Sequence, residues 1–92
     1  MIKLDRTVVQ GGDYIVSDMG GEKVMLSVQN GKYYNLGVMG GLIWDLAKEP
    51  VKIANVVDVL LQQFEVEREL CEEQVLSFLS ELAAEGLVQI RE

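Results

Sequence analysis

The hydrophobic pattern of this 92-residue chain changes period once, near Leu36, and that change limits what it can fold into. Up to that point short β-favouring runs are separated by turn signals, as in a strand meander; beyond it apolar residues recur every three or four positions, as on a helix. "DYIVSD" carries the β-favouring Tyr14, Ile15 and Val16. Gly20–Gly21 is a turn signal, and "EKVMLSVQ" then alternates Val24, Leu26 and Val28 against Met25, Ser27 and Gln29. Asn30–Gly31 follows, a pair in which both residues tolerate positive φ, so a two-residue hairpin is expected with "KYYNL" as its returning strand. The segment from roughly residue 7 to 36 is therefore expected to form a meander of three antiparallel strands.

Beyond Leu36, Met39, Leu42, Ile43 and Leu46 fall at helical spacing, and Pro50 ends that segment. "IANVVDVLLQQF" repeats the pattern with Ile53, Val56, Val57, Leu60, Leu61 and Phe64. A third segment places Val75, Phe78, Leu79 and Leu82 on one stripe, widened by Leu76 and Ala83, and Gly86 suits a helix end. Leu87, Val88 and Ile90 make a short extended tail or strand. The expected architecture is α+β and one domain over residues 1–92: an N-terminal three-stranded antiparallel sheet, then a three-helix bundle over roughly residues 38–86, resembling a winged helix with the wing first.

The side-chain inventory argues against most chemistry. Histidine, the usual acid–base group near neutral pH, is absent. The carboxylates of "EVEREL" and "CEEQ" look like the wet faces of helices, so no catalytic residue is assigned. Cys71 lacks a histidine to activate it and stands beside Glu72 and Glu73, which disfavour the thiolate; a small buried residue is the expected role. Neither a Cys/His cluster nor a calcium-loop pattern is present, so no metal and no cofactor are expected. The single cysteine cannot form an internal disulfide and fits a reducing cytoplasm. "MIKLDRTVVQ" has no secretory pattern, and no apolar run approaches the ~18 residues of a membrane span.

Charge adds a further exclusion. Eight basic against 15 acidic residues give a net charge of −7, most of it carried from Glu65 onward. Binding to a phosphate backbone relies on lysine and arginine, so a nucleic-acid partner is not expected. Gly37, Gly40, Gly41 and Trp44 share one helical face. Gly37 suits a helix cap and the others suit close packing; "GVMGG" matches no phosphate-cradling glycine motif. Tyr33 and Tyr34 must point to opposite faces of their strand, so one can join the core with Leu36 while the other stays outside. Only Lys32 brings charge to this strand and no proline blunts it, so an open edge here would invite strand addition by a peptide.

Taken in order from Lys32 to Ile90, the motifs "YYNLGVMGGLIWDL", "VKIANVVDVLLQQFEV" and "CEEQVLSFLSELAAEGLV" resemble the PqqD-like family of leader-peptide-recognition domains. These domains serve ribosomally made, post-translationally modified peptides, and the paired tyrosines and the single proline look most like the stand-alone forms from lasso-peptide clusters. Gly37 departs from relatives, which often carry asparagine there. The resemblance implies a non-catalytic adaptor that binds a precursor's leader peptide as an added strand. It also implies presentation of that precursor to a separate leader peptidase and an ATP-dependent cyclase. Carried onto this chain, the pairing strand would be Lys32, Tyr33, Tyr34, Asn35 and Leu36, opposed by Val75, Phe78, Leu79 and Leu82 of the third helix. Two other readings compete: a winged-helix nucleic-acid-binding regulator, suggested by fold alone, and a structural subunit that dimerises through the same edge.

Overall fold

The computed structural model describes residues 3–12, 14–20 and 22–91. Asp13 and Gly21, which belong to the expected first strand and first turn, lie outside the described residues. The order of elements is β1 (Thr7–Gln10), β2 (Tyr14–Met19), β3 (Glu22–Ser27), β4 (Tyr33–Leu36), α1 (Gly37–Leu46), β5 (Val51–Lys52), α2 (Ile53–Gln63), α3 (Arg68–Ala84) and β6 (Val88–Arg91).

The expected meander is present as the antiparallel sheet β2-β3-β4. Met19 pairs with Glu22, and Gly20 turns the chain with φ +63°. Alternation along β3 sends Met25 and Ser27 inward, both almost fully buried, and leaves Val24 and Leu26 on the outer face. The second turn differs from the expected two-residue hairpin. Leu26 pairs with Tyr33 and the Ser27 N–H donates to the Lys32 carbonyl, so residues 28–31 form a four-residue loop. Only Gly31 takes positive φ (+70°), and the Gly31 N–H closes the turn on the Ser27 carbonyl. Asn30 contributes through its side chain instead: its Oδ1 accepts from the Lys32 N–H at 3.0 Å. The two registers differ by two residues on one strand, so either one sends the same side chains inward.

A second sheet, β5-β1-β6, was not part of the sequence expectation. β1 is its centre, pairing Val8 with Val51 on one side and with Ile90 on the other. It makes the tail at Val88–Arg91 a true strand and ties both ends of the chain together. A two-residue strand such as β5 has no room to show alternation, which is why it was not visible beforehand.

The three expected helices form where the period placed them, though α1 buries a different stripe. Ile43 and Trp44 are buried there, whereas Met39, Leu42 and Leu46 sit at the margin of the core. Trp44 meets the edge of the Tyr14 ring at 4.8 Å and 87°, an aromatic pair that fixes α1 over β2. Gly41 lets α1 approach β3, since a Cβ there would lie 3.1 Å from the Lys23 Cβ. α2 buries Ile53, Val56, Val57 and Leu60 against α3, which buries Cys71, Val75, Leu79 and Leu82. α3 ends in a Schellman closure: the Gly86 N–H donates to Ala83, the Leu87 N–H donates to Leu82, and Gly86 takes φ +76°. No helix among the described residues is long and apolar enough to cross a membrane.

Candidate functional site

β4 is the last strand of its sheet, hydrogen-bonded to β3 on one side only among the described residues. Because Ser27 and Lys32 form a bonded pair, antiparallel alternation makes Met25 and Tyr34 the next bonded pair. The N–H and C=O groups of Tyr33 and Asn35 therefore point away from β3, toward the open edge. Tyr34 and Leu36 turn their side chains inward, and Tyr33 stays outside at 74% exposure.

Facing this edge is the C-terminal half of α3. Between them runs a groove of about 650 Å³ lined on the strand side by Tyr33, Tyr34, Asn35 and Leu36 and on the helix side by Phe78, Glu81, Leu82, Ala84 and Glu85. One end is bridged. Glu85 accepts from Asn30 Nδ2 at 2.9 Å and from Lys32 Nζ at 3.4 Å, tying the hairpin loop to the end of α3. Toward the other end a smaller apolar hollow of about 180 Å³ opens between α1 and α3, lined by Leu36, Met39, Gly40, Ile43, Val75 and the same Phe78, with Gln74 at its rim. Phe78 sits where the two spaces meet. Gly40 makes room for that ring, for a Cβ there would lie 3.1 Å from Phe78 Cζ.

The expected site residues fall in three groups. Tyr33, Tyr34, Asn35, Leu36, Phe78 and Leu82 come together in the groove, with Lys32 at its bridged end. Val75 is fully buried and lines only the smaller hollow. Leu79 is 0% exposed and belongs to the core behind the groove, not to its wall. The stripe read from the sequence mixed core and wall: Val75 and Leu79 are fully buried, whereas Phe78 and Leu82 continue into a groove face with Glu81 and Glu85. Glu81, Ala84 and Glu85 were missed because they are polar or small; for Glu81 and Glu85 the available signal was the i, i+3, i+7 continuation from Phe78.

Cys71 is buried, and burial, with help from Glu72, pushes its thiol up, so it stays protonated near neutral pH. No three His, Cys, Asp or Glu side chains gather among the described residues where they could hold a metal ion.

Comparison with known proteins bears on this arrangement. The PqqD family, described as Coenzyme PQQ synthesis protein D, matches residues 22–88, from β3 through the start of β6. The chain belongs to the PqqD family. No curated protein matches it. Among solved structures it is similar to TbiB1 in complex with the TbiA(beta) leader peptide. That match has 28% identity and a TM-score of 0.76, covering 88% of this chain and 95% of TbiB1. It shares its fold with a lasso peptide synthetase B1 complexed with the leader peptide, at 22% identity, TM-score 0.77, over 89% of this chain and 96% of that one. The PqqD match takes in β4, α1 and the whole of α3, so both walls of the groove belong to the family's part of the chain.

Proposed function

We propose that this PqqD-family chain is a non-catalytic adaptor that binds the leader peptide of a ribosomally made precursor by adding it to β4 as a further strand. The observation that carries the proposal is the free edge of β4 facing α3 across an open groove. The TbiB1 complex supports it, since a relative with 28% identity over nearly its full length holds a leader peptide. The outward N–H and C=O groups of Tyr33 and Asn35 offer four backbone hydrogen bonds, worth about 1 kcal/mol net each. Two or three apolar leader side chains seated against Phe78, Leu82 and the hollow beyond would add about 1.5–3 kcal/mol apiece. Against an association cost of about 4–15 kcal/mol, that sum reaches micromolar binding at its favourable end, where strand and groove are pre-organised, without a charged anchor.

In this reading Lys32, Tyr33, Tyr34, Asn35 and Leu36 form the pairing strand, and Phe78 and Leu82 the opposing wall. Val75 floors the apolar hollow, and Leu79 holds α3 in place from the core side. The bound precursor would then pass to a leader peptidase and an ATP-dependent cyclase of a lasso-peptide pathway, in the cytoplasm. The test is an amide-resonance titration with a synthetic leader peptide of a lasso-peptide precursor. Shifts concentrated in residues 31–36 and along the 78–85 face of α3 are expected; a titration that leaves that strand unmoved would overturn the proposal.

A further inference from the structure

Tyr34 is an exception in the polar bookkeeping of the fold. Its hydroxyl oxygen is the one buried side-chain nitrogen or oxygen among the described residues that has no hydrogen-bond partner. The comparison within the molecule is Tyr14, whose hydroxyl donates to Gln10 Oε1 at 2.7 Å. A buried hydroxyl without a partner is destabilising, and most such groups in folded proteins are satisfied. Phenylalanine would fill the same space without that penalty. Tyr34 is also a groove residue, flanked by Phe78 and Leu82 across the gap. Its oxygen lies below the water-accessible surface of the empty groove, so a peptide side chain between β4 and α3 reaches it only as a wall side chain such as the half-buried Phe78 shifts on binding.

We propose that the Tyr34 hydroxyl is the polar anchor of the groove, a specificity-determining group that requires a hydrogen-bonding side chain on the bound peptide. The inference rests on strand addition at β4. The added residue directly opposite Tyr34 turns its side chain to the same face as Tyr34, with its Cβ about 5 Å away, inside the groove. A serine, threonine, asparagine, glutamine or carboxylate at that peptide position completes the phenol's hydrogen bonding. A purely aliphatic residue there leaves it unpaired, and discrimination between the two then comes from one buried group.

The test compares Tyr34→Phe with Tyr14→Phe and the unaltered chain. Thermal melts are set beside the affinity for a fluorescently labelled synthetic leader peptide of a lasso-peptide precursor. Tyr34→Phe is expected to weaken binding about tenfold while the melting midpoint holds or rises by a few degrees. Tyr14→Phe, which removes a bonded hydroxyl away from the groove, is expected to lower the midpoint and leave affinity unchanged. An alanine scan of the peptide then locates the partner, as the position whose replacement weakens binding to the unaltered chain but not to Tyr34→Phe. Three results overturn the inference while leaving strand addition in place. They are a Tyr34→Phe variant that binds as tightly, one that melts lower because the hydroxyl already has a partner, and equal loss of binding in Tyr14→Phe. Failure of the unaltered chain to bind the leader takes down the strand-addition reading itself, and this inference with it.

Discussion

Gly40 and Phe78 show how a single contact sets the shape of the groove. A methyl group at position 40 would press on Phe78 at 3.1 Å and on the Leu36 Cβ at 3.3 Å, and of these only the half-buried ring can swing away. Gly40→Ala should therefore push Phe78 into the groove. Its helix-propensity gain of about 1 kcal/mol is offset by the crowding, so the melting midpoint should move little while leader affinity falls several-fold. Parallel melts and binding isotherms check the split. Cys71 gives a prediction of a different kind. Its thiol is buried and its ionisation pushed up by that burial and by Glu72, so it should resist alkylation by iodoacetamide near neutral pH. Mass spectrometry should find the cysteine unmodified in native buffer and fully labelled in denaturant.

At the level of elements, the pairing pattern of β4 separates two substitutions that the sequence alone treats alike. Tyr33 directs its backbone N–H outward, whereas Tyr34 is bonded to Met25 of β3. Tyr33→Pro should abolish leader binding with a modest loss of stability. Tyr34→Pro should disrupt the sheet itself, because proline cannot donate the ladder bond to Met25 and does not fit inside a paired strand. Circular-dichroism melts alongside binding measurements distinguish them. A second tie joins β3 to α1. Lys23 Nζ lies 2.6 Å from Asp45 Oδ1, and that hydrogen bond, aided by the charges of Asp45 and Asp18, raises the lysine's pKa. A raised lysine pKa stabilises the fold fully below the ordinary lysine range, and the contribution is lost as pH rises through the raised value. With Asp45 largely exposed the pair is worth under about 1 kcal/mol. The stability gap between the unaltered chain and Lys23→Met should accordingly close as melts are taken above pH ~10.5.

Across the whole molecule the net charge of −7 governs encounter more than grip. Glu81 and Glu85 stand on the groove wall, and Glu85 is already engaged by Lys32 and Asn30. A leader rich in lysine or arginine should associate more slowly as salt rises from roughly 50 mM to roughly 500 mM, with little change in its dissociation rate. Stopped-flow kinetics at several salt concentrations would reveal this. Duplex DNA, by contrast, should not be shifted by the chain even at low salt, because α3 presents acids where a nucleic-acid reader needs bases.

The change of period at Leu36, the glycines that end or open elements, and the apolar stripes were enough to place the sheet β2-β3-β4 and all three helices. These are local signals, written in residues within a turn or two of one another. The opposite facing of Tyr33 and Tyr34 was legible for the same reason, since a strand's alternation admits nothing else. Other features depended on partners distant in sequence. The sheet β5-β1-β6 joins residue 8 to residues 51 and 90, and pairing over such separations leaves no local periodicity. Only packing could say which side of α3 is core and which is groove, moving Leu79 inward and bringing Glu81 and Glu85 to the wall. That β4 stays unpaired on its outer edge, and that the Tyr34 hydroxyl is buried without a partner, are likewise results of the assembled fold. A hydrogen bond left unmade becomes visible only after the other buried side-chain polar groups of the described residues have found theirs.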